Sequence, residues 1–451
     1  MEIILVGCGK VGTALAAQLT QEGHSVTVID TNADKIERIQ EELDVMGIVG
    51  NGASINVLEE AGAERADVLI AVTGSDELNL LCCMFAKKAG QCAAIARVRN
   101  PLYSHELDFM KQQLGLSAII NPELAAAQEI ARLLRFPAAS KIDSFADDRV
   151  RLIKFELSER QKLDGVPLHE IPGRLGQDVL VCAVERDGDV VIPAGDFHLK
   201  SHDLVTLLIP SEKAAECFAK LHMPTHAVRS ALVVGGGTIG YYLAKSLIKY
   251  GIRVKIVDND AGRCEDLVEL LPEATVLHGD GTDRQLLLEV GLPLVEAFVP
   301  LTGIDEENVL LALYAKKHSA AKLVTKINRL DFDDILDSLD LGSVIYPKYL
   351  ICDSIVQHVR ALQNSAGNNL KTLYRILDDR VEALEFTANE SLRALDVPLA
   401  ELHLKPNLLI CCIIRDHQII IPRGADRICA GDTVIVVTLE RGLSDLSDIL
   451  A

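Results

Sequence analysis

Tryptophan is absent from the 451 residues, and aromatic side chains of every kind make up only 4%. A core short of large rings is filled by Val, Ile, Leu and Ala, the mixture that suits parallel sheets under Ala/Leu-rich helices. Basic residues are also in deficit, with 45 Lys and Arg against 65 Asp and Glu and a formal charge of −20. So negative a surface repels a phosphate backbone or an anionic headgroup at a distance, which argues against nucleic acid and against direct lipid binding. Long apolar runs are missing too. No stretch approaches the roughly 18 residues that mark a membrane-spanning helix, and the opening MEIILVGCGK carries no basic region or cleavage site. The expectation is a cytoplasmic chain that reaches a membrane through another protein. The eleven cysteines include no C-x-x-C pair, and Cys82-Cys83 and Cys411-Cys412 are neighbours within apolar segments. They read as buried reduced thiols, with no metal site.

What the chain has in abundance is internal repetition, and a long repeat decides architecture before any local pattern does. IILVGCGKVGTALAAQL (3–19) returns as ALVVGGGTIGYYLAKSL (231–247), so Gly7, Gly9, Gly12 and Asp30 fall on Gly235, Gly237, Gly240 and Asp258. VTGSDELN (72–79) falls on LTGIDEEN (301–308), DGVPLHEI (164–171) on LDVPLAEL (395–402), and VVIPAGD (190–196) on IIIPRGA (419–425). Asp203 in KSHDLVTLLI falls on Asp432 in CAGDTVIVVT. The whole half-chain is duplicated.

Within the first half, strand-like and helix-like runs alternate: strands at 2–6, 25–30, 45–49, 67–72 and 92–98, helices at 10–22, 32–43, 54–61 and 76–90. This predicts right-handed crossovers and a parallel sheet covered on both faces. A helix follows near 122–135, and from about residue 140 short strands and hairpins take over. Asp187-Gly188, between two strand-like runs, is a turn pair that accepts positive φ. The fold class expected is α/β, with tandem duplicated Rossmann-like parallel-sheet domains, each followed by a small α+β domain. The boundaries expected are 1–138, 139–225, 228–365 and 368–451.

The glycine loops carry the chemistry. A pyrophosphate is best approached by backbone N–H groups and a helix N-terminus, which requires a turn without Cβ atoms. Gly7, Cys8, Gly9, Lys10, Val11 and Gly12 form that turn and the first helical residues of one site, and Gly235, Gly237, Thr238, Ile239 and Gly240 those of the other. Asp30 and Asp258 end the second strand of each module, where a carboxylate accepts hydrogen bonds from the adenosine ribose hydroxyls and repels a 2′-phosphate. NAD(H) is therefore expected over NADP(H). Asn51 in GNGAS and Asp280 in GDGTD follow the third strand, near an adenine or ribose edge. Thr73 and Thr302 precede a helix and reach toward ribose-phosphate, while Arg97 and Lys326 end the fifth strands as counter-charges. Ser75 with Asp76 and Glu77 reads as a helix cap with acids in the first turn, or as a ligand contact.

Catalytic residues are not evident. No histidine or lysine recurs in both halves beside an acidic partner, and no P-loop, H-E-x-x-H or G-x-S-x-G occurs. A duplicated nucleotide site without a catalytic companion reads as a sensor. The alternatives are an NAD-dependent oxidoreductase and a scaffold with empty clefts.

The order of motifs, from glycine loop and terminal Asp through GNGAS/GDGTD and VTGSDELN/LTGIDEEN to a small module with VPLHEI and IPAGD, resembles the TrkA family of Trk system potassium uptake proteins. The resemblance covers essentially the whole chain. It implies two RCK nucleotide-binding modules, each followed by an RCK C-terminal module, that bind NAD(H), with ATP or ADP as further ligands. It also implies a homo-oligomer, a tetramer if eight modules close a ring, peripheral on the inner face of the cell membrane. There it would gate an integral membrane potassium translocation subunit of the TrkH/TrkG kind. Asn51, where the second copy has Asp280, departs from the family pattern at the nucleobase contact of the first site.

Overall fold

A computed structural model describes the chain except at residues 104–105, 138, 147–148, 177–178, 224–225, 329–335, 337–338, 340, 365–369, 377–379, 391, 393, 441 and 444. The first half opens with β1 (Glu2–Val6), α1 (Lys10–Gln21), β2 (Ser25–Asp30), α2 (Ala33–Glu42), β3 (Met46–Val49), α3 (Ile55–Glu60), β4 (Val68–Ala71), α4 (Asp76–Ala89) and β5 (Ala93–Arg97). The strand and helix runs read from the sequence are present with ends shifted by a residue or so. The chain then adds two elements that the apolar pattern does not announce, α5 (Leu107–Gln113) and β6 (Ala118–Ile120), before α6 (Pro122–Arg135). Three residues are too few to show a period. β6 is nevertheless a full member of the sheet, with Ile120 opposite Arg97.

All six strands are parallel, in the order β3-β2-β1-β4-β5-β6. β4 buries every residue and β1 buries Ile3 through Val6, as strands covered by helices on both faces must. Strand order reverses between β1 and β4, which opens a crevice at their carboxyl ends.

The smaller module is antiparallel: β7 (Lys141–Phe145), β8 (Val150–Glu156), β9 (Leu180–Arg186), β10 (Asp189–Val191) and β11 (Leu204–Pro210), ordered β10-β9-β11-β8-β7, with short helices α7 (Ile171–Leu175) and α8 (Ala214–Lys220). Asp187 and Gly188 take φ of 52° and 85° at the β9–β10 turn.

The second half repeats both designs. Its parallel sheet contains β12 (Ser230–Val234), β13 (Arg253–Asp258), β14 (Thr275–His278), β15 (Ala297–Pro300), β16 (Lys322–Lys326) and β17 (Ser343–Ile345) in the order β14-β13-β12-β15-β16-β17. Among the described residues its helices include α9 (Thr238–Lys249), α10 (Ala261–Leu270), α11 (Arg284–Val290), α12 (Asp305–His318) and α13 (Pro347–Asn364). Its antiparallel sheet orders β18 (Leu370–Ile376), β19 (Val381–Thr387), β22 (Thr433–Thr438), β20 (Leu408–Arg415) and β21 (Gln418–Ile420).

Like modules associate. One compact unit joins Met1–Leu134 with Val228–Val359, and the other joins Arg135–Ala227 with Arg360–Ala451. In the first, Asn121 beside α6 donates to the Tyr242 hydroxyl on α9 at 3.2 Å, and Cys352 on α13 donates to the Val11 carbonyl on α1 at 3.8 Å. Each parallel module thus sends the region of its closing helix to the other's glycine-loop helix. In the second unit the two antiparallel sheets share one core, with Val150, Leu152 and Cys182 of one packed with Val381, Ala383 and Cys411 of the other.

Candidate functional site

Each glycine of the first loop is glycine for its own reason. Gly7 has φ +107°, and a Cβ there would lie 3.0 Å from the Thr73 nitrogen. At Gly12 a Cβ would stand 1.8 Å from the Gly7 carbonyl oxygen, so α1 could not pack against the loop. Gly9 is different: its φ is −76°, and a Cβ there would meet nothing within 4 Å. The second loop repeats all three, with φ +106° at Gly235, a Cβ at Gly240 2.3 Å from the Gly235 oxygen, and open space at Gly237.

Gly9 and Gly237 are also the N-cap residues of α1 and α9, and neither helix has a side-chain cap. Asn32, Ser75, Asp260 and Asp283 cap α2, α4, α10 and α11 with side-chain oxygens. The first-turn N–H groups of the glycine-loop helices are therefore left for an anion, the arrangement that suits a phosphate.

The first loop opens on a cavity of about 540 Å³. Gly7, Gly9, Lys10 and Val11 line it on one side, and Asp30, Asn51, Thr73 and Arg97 on the others. Cys8 and Gly12 do not line it. The Cys8 thiol is buried, and burial with the Asp30 charge pushes it up to about 12, so it serves as a small apolar filler. No histidine stands among the lining residues.

Asp30 does more than the sequence suggests. Its Oδ2 accepts from the Cys8 N–H at 2.7 Å and its Oδ1 from the Asn32 N–H at 2.9 Å, so the carboxylate ties the end of β2 to the glycine loop. Asp258 repeats this with Gly236 and Asp260 at 2.6 and 2.9 Å. Each oxygen keeps a lone pair for a hydroxyl. Lys35 approaches Asp30 at 4.0 Å, while its counterpart Arg263 donates to the Gly236 carbonyl at 2.8 Å.

Asn51 Oδ1 accepts from Ala53 N–H, and Asp280 Oδ1 accepts from both the N–H and the hydroxyl of Thr282, which hold its carboxyl below the usual range. Thr73 is engaged by Asn79, whose Oδ1 accepts from the Thr73 N–H and hydroxyl at 2.8 and 2.7 Å while Nδ2 donates to the Arg97 carbonyl. Asn308 does the same for Thr302 and the Lys326 carbonyl. The motif pattern alone gives these fully buried asparagines no role, although both stand at the same place in the repeated octapeptides.

The acid pair after Ser75 resolves into separate tasks. Ser75 caps α4 by accepting from Leu78 N–H. Asp76 is buried and accepts from the N–H groups of Arg99 and Asn100, fixing the chain after β5, as Asp305 does for Asn328. Arg97 reaches the Thr73 carbonyl at 2.5 Å, and burial lowers its pKa. Lys326, 8% exposed, donates to the Leu301 carbonyl at 3.2 Å, against the second glycine loop. Among the described residues no cluster of His, Cys, Asp and Glu suits a metal ion, and no helix is long and apolar enough to cross a membrane.

The TrkA-N domain family matches residues 3–122 and 231–347, and the TrkA-C domain family matches 152–222 and 383–451. The Trk system potassium uptake protein TrkA homolog 1 of Methanosarcina mazei is 32% identical over 99% of each chain, and the TrkA homolog of Archaeoglobus fulgidus is 32% identical over 97% of each. A solved structure described as the GsuK channel bound to NAD superposes with a TM-score of 0.63 over 97% of this chain and 76% of that one, at 18% identity, a likeness of fold. With both domain families matched twice and relatives aligned end to end, the chain belongs to the TrkA family of Trk system potassium uptake proteins.

Proposed function

We propose that the chain is the nucleotide-sensing regulatory subunit of a Trk-type potassium uptake system. Each glycine-loop cleft takes NAD(H), with ATP or ADP as alternative occupants. Occupancy biases the geometry of a homotetramer on the cytoplasmic face, and that geometry gates the integral membrane translocation subunit. The observation that carries the reading is the open space at Gly9 and Gly237, glycines that neither backbone strain nor protein packing demands, at the uncapped start of a helix. Asp30 and Asp258, at the ends of β2 and β13, supply the ribose acceptors. The relatives are named as potassium uptake proteins, and the oxidoreductase reading is not retained.

Native mass spectrometry with NADH tests this directly. Two nucleotides per chain on a tetramer are expected, with Gly9→Val and Gly237→Val each losing one. NADPH, whose 2′-phosphate would face Asp30 or Asp258, should bind more weakly. In cells carrying the membrane subunit, the double variant should lose the nucleotide dependence of potassium uptake. Unchanged dependence in that variant would leave a scaffold role.

A further inference from the structure

The two glycine-loop clefts share a plan but not a charge. Among the described residues that line the first cavity, three are cations, Lys10, Lys35 and Arg97, and one is a carboxylate, Asp30. Lys10 is the first residue of α1, next to the uncapped Gly9, and is exposed. The Lys35 side chain is 48% exposed, with Nζ 4.0 Å from Asp30. Past the end of β3 the cavity meets the neutral Asn51, and in the first turn of α4 it meets the apolar Leu78.

The second cleft changes three of these places. Gly50 N–H donates to the Asp30 carbonyl at 2.9 Å and Gly279 N–H to the Asp258 carbonyl at 2.8 Å, so Asn51 and Asp280 stand alike beside the acids that end β2 and β13. Thr238 opens α9 where Lys10 opens α1, and Glu307 takes the place of Leu78 in the first turn of α12. One cation is lost and two acids are gained. The cations that remain are engaged by the protein. Arg263 Nε donates to the Gly236 carbonyl at 2.8 Å with Nη1 3.9 Å from Asp266, and Lys326, 8% exposed, donates to the Leu301 carbonyl. Cations outnumber acids around the first cleft, and acids outnumber cations at the matching places of the second. A phosphate chain responds to that balance in proportion to its own charge.

We propose that the clefts divide the nucleotides between them: the first selects a nucleoside polyphosphate, ATP or ADP, and the second the less anionic dinucleotide NAD(H). Lys10, Asn51 and Leu78 against Thr238, Asp280 and Glu307 are the residues that set the choice. This rests on the reading that both clefts take nucleotide, and it ranks their occupants. In the first cleft Lys10 supplies a cation at the helix start and Asn51 adds no charge to repel a longer phosphate chain. In the second, Asp280 and Glu307 oppose each added phosphate and cost the dinucleotide less. Each cleft still admits the other nucleotide at high concentration, so NADH at saturation fills both.

Calorimetric titration with ATP and with NADH, in buffer free of divalent metal, tests this, because Gly237→Val leaves the first cleft and Gly9→Val the second. The ratio of ATP to NADH affinity should be at least about tenfold higher in the first cleft than in the second. The contrast should narrow as salt is raised, since charges on exposed side chains are screened. Lys10→Thr with Asn51→Asp, placed in the Gly237→Val chain, should erase most of it. Asn51 Oδ1 accepts from Ala53 N–H at 3.0 Å as Asp280 Oδ1 does from Thr282 N–H at 2.8 Å, so the exchange keeps the turn and alters its charge. Should that chain fail to fold, the reciprocal Thr238→Lys with Asp280→Asn in the Gly9→Val chain should raise the ratio of the second cleft. Equal ratios in the two single-cleft chains, a contrast indifferent to salt, or a ratio that the exchange leaves unmoved in folded protein overturns the proposal while leaving nucleotide binding intact. Failure of the unmodified chain to bind either nucleotide overturns the underlying reading as well.

Discussion

At the scale of single residues, the clearest lesson is that glycines in one motif answer to different constraints. Gly12→Ala and Gly240→Ala put a methyl 1.8 and 2.3 Å from a carbonyl oxygen, so helix and loop must part, at a cost of about 1–3 kcal/mol. Gly9→Ala adds the same methyl to open space at φ −76° and should leave the thermal midpoint nearly unchanged while weakening NADH. Differential scanning calorimetry of the variants with and without NADH distinguishes stability from binding; equal destabilisation by Gly9→Ala and Gly12→Ala would remove the distinction. The cysteines make a second residue-scale case. Ten of the eleven are buried, and burial holds the thiols of Cys82 and Cys412 up at about 12. Since the thiolate is the nucleophile, native protein at pH 8 should react quickly with an aromatic disulfide reagent at one site at most, the half-exposed Cys429. Several fast thiols would mean that the cores open far more readily than their packing implies.

At the scale of elements, repetition made most of the fold legible. Strands and helices emerge from their periods, and the octapeptides mark the passage from β4 to α4 in the first half and from β15 to α12 in the second. Asp203 and Asp432 were visible only as a repeated letter, yet in space each is 1% exposed and bridged by both Nε and a terminal nitrogen of a β-strand arginine, Arg186 or Arg415, at 2.8–2.9 Å. The arginines recur too, 17 residues ahead of the acid in each half, but a repeated letter on a strand does not say which partner it meets on the neighbouring strand. Asp76 is legible only in part: it is the expected acid in the first turn of the helix that Ser75 caps, but the N–H groups it accepts from lie 23 and 24 residues on, where no local pattern points. The acid is buried while the guanidinium side chain stays 28% exposed at Arg186 and 37% at Arg415, so removing the acid loses charge-assisted hydrogen bonds but leaves the arginine in reach of water. Asp203→Ala and Asp432→Ala should each destabilise their TrkA-C module by about 1–3 kcal/mol, seen as an earlier calorimetric transition, whereas Asp164→Ala at an exposed loop should change it by less than about 1 kcal/mol. An Asp432→Ala protein that melts like its parent would show that the pair is ornamental.

At the scale of the whole molecule, the duplicated halves are not the units that pack. TrkA-N pairs with TrkA-N and TrkA-C with TrkA-C, because each antiparallel sheet has a second apolar face that its own short helices leave uncovered. No local period reports which partner covers such a face. The seam between the TrkA-C modules carries a charge relay that can be read by acid. Burial alone would raise the Glu185 carboxyl, but Lys154 and Arg380, one from each half, lower it below its ordinary 4.5. A carboxylate whose folded pKa is depressed stabilises fully above its ordinary value, and that stability fades as pH falls through the lowered one. The seam should therefore weaken below pH 4.5. In Glu185→Gln the relay is already broken, so the variant should start less stable at pH 7 and lose less on acidification, the two melting curves converging as the pH drops. Thermal midpoints of both proteins from pH 7 to 3 test this, because the difference between them cancels every other acid in the chain; parallel declines would place the acid sensitivity elsewhere and leave the seam to the apolar faces of Val150, Leu152, Val381 and Ala383 with the Ala146–Glu385 and Arg149–His417 contacts.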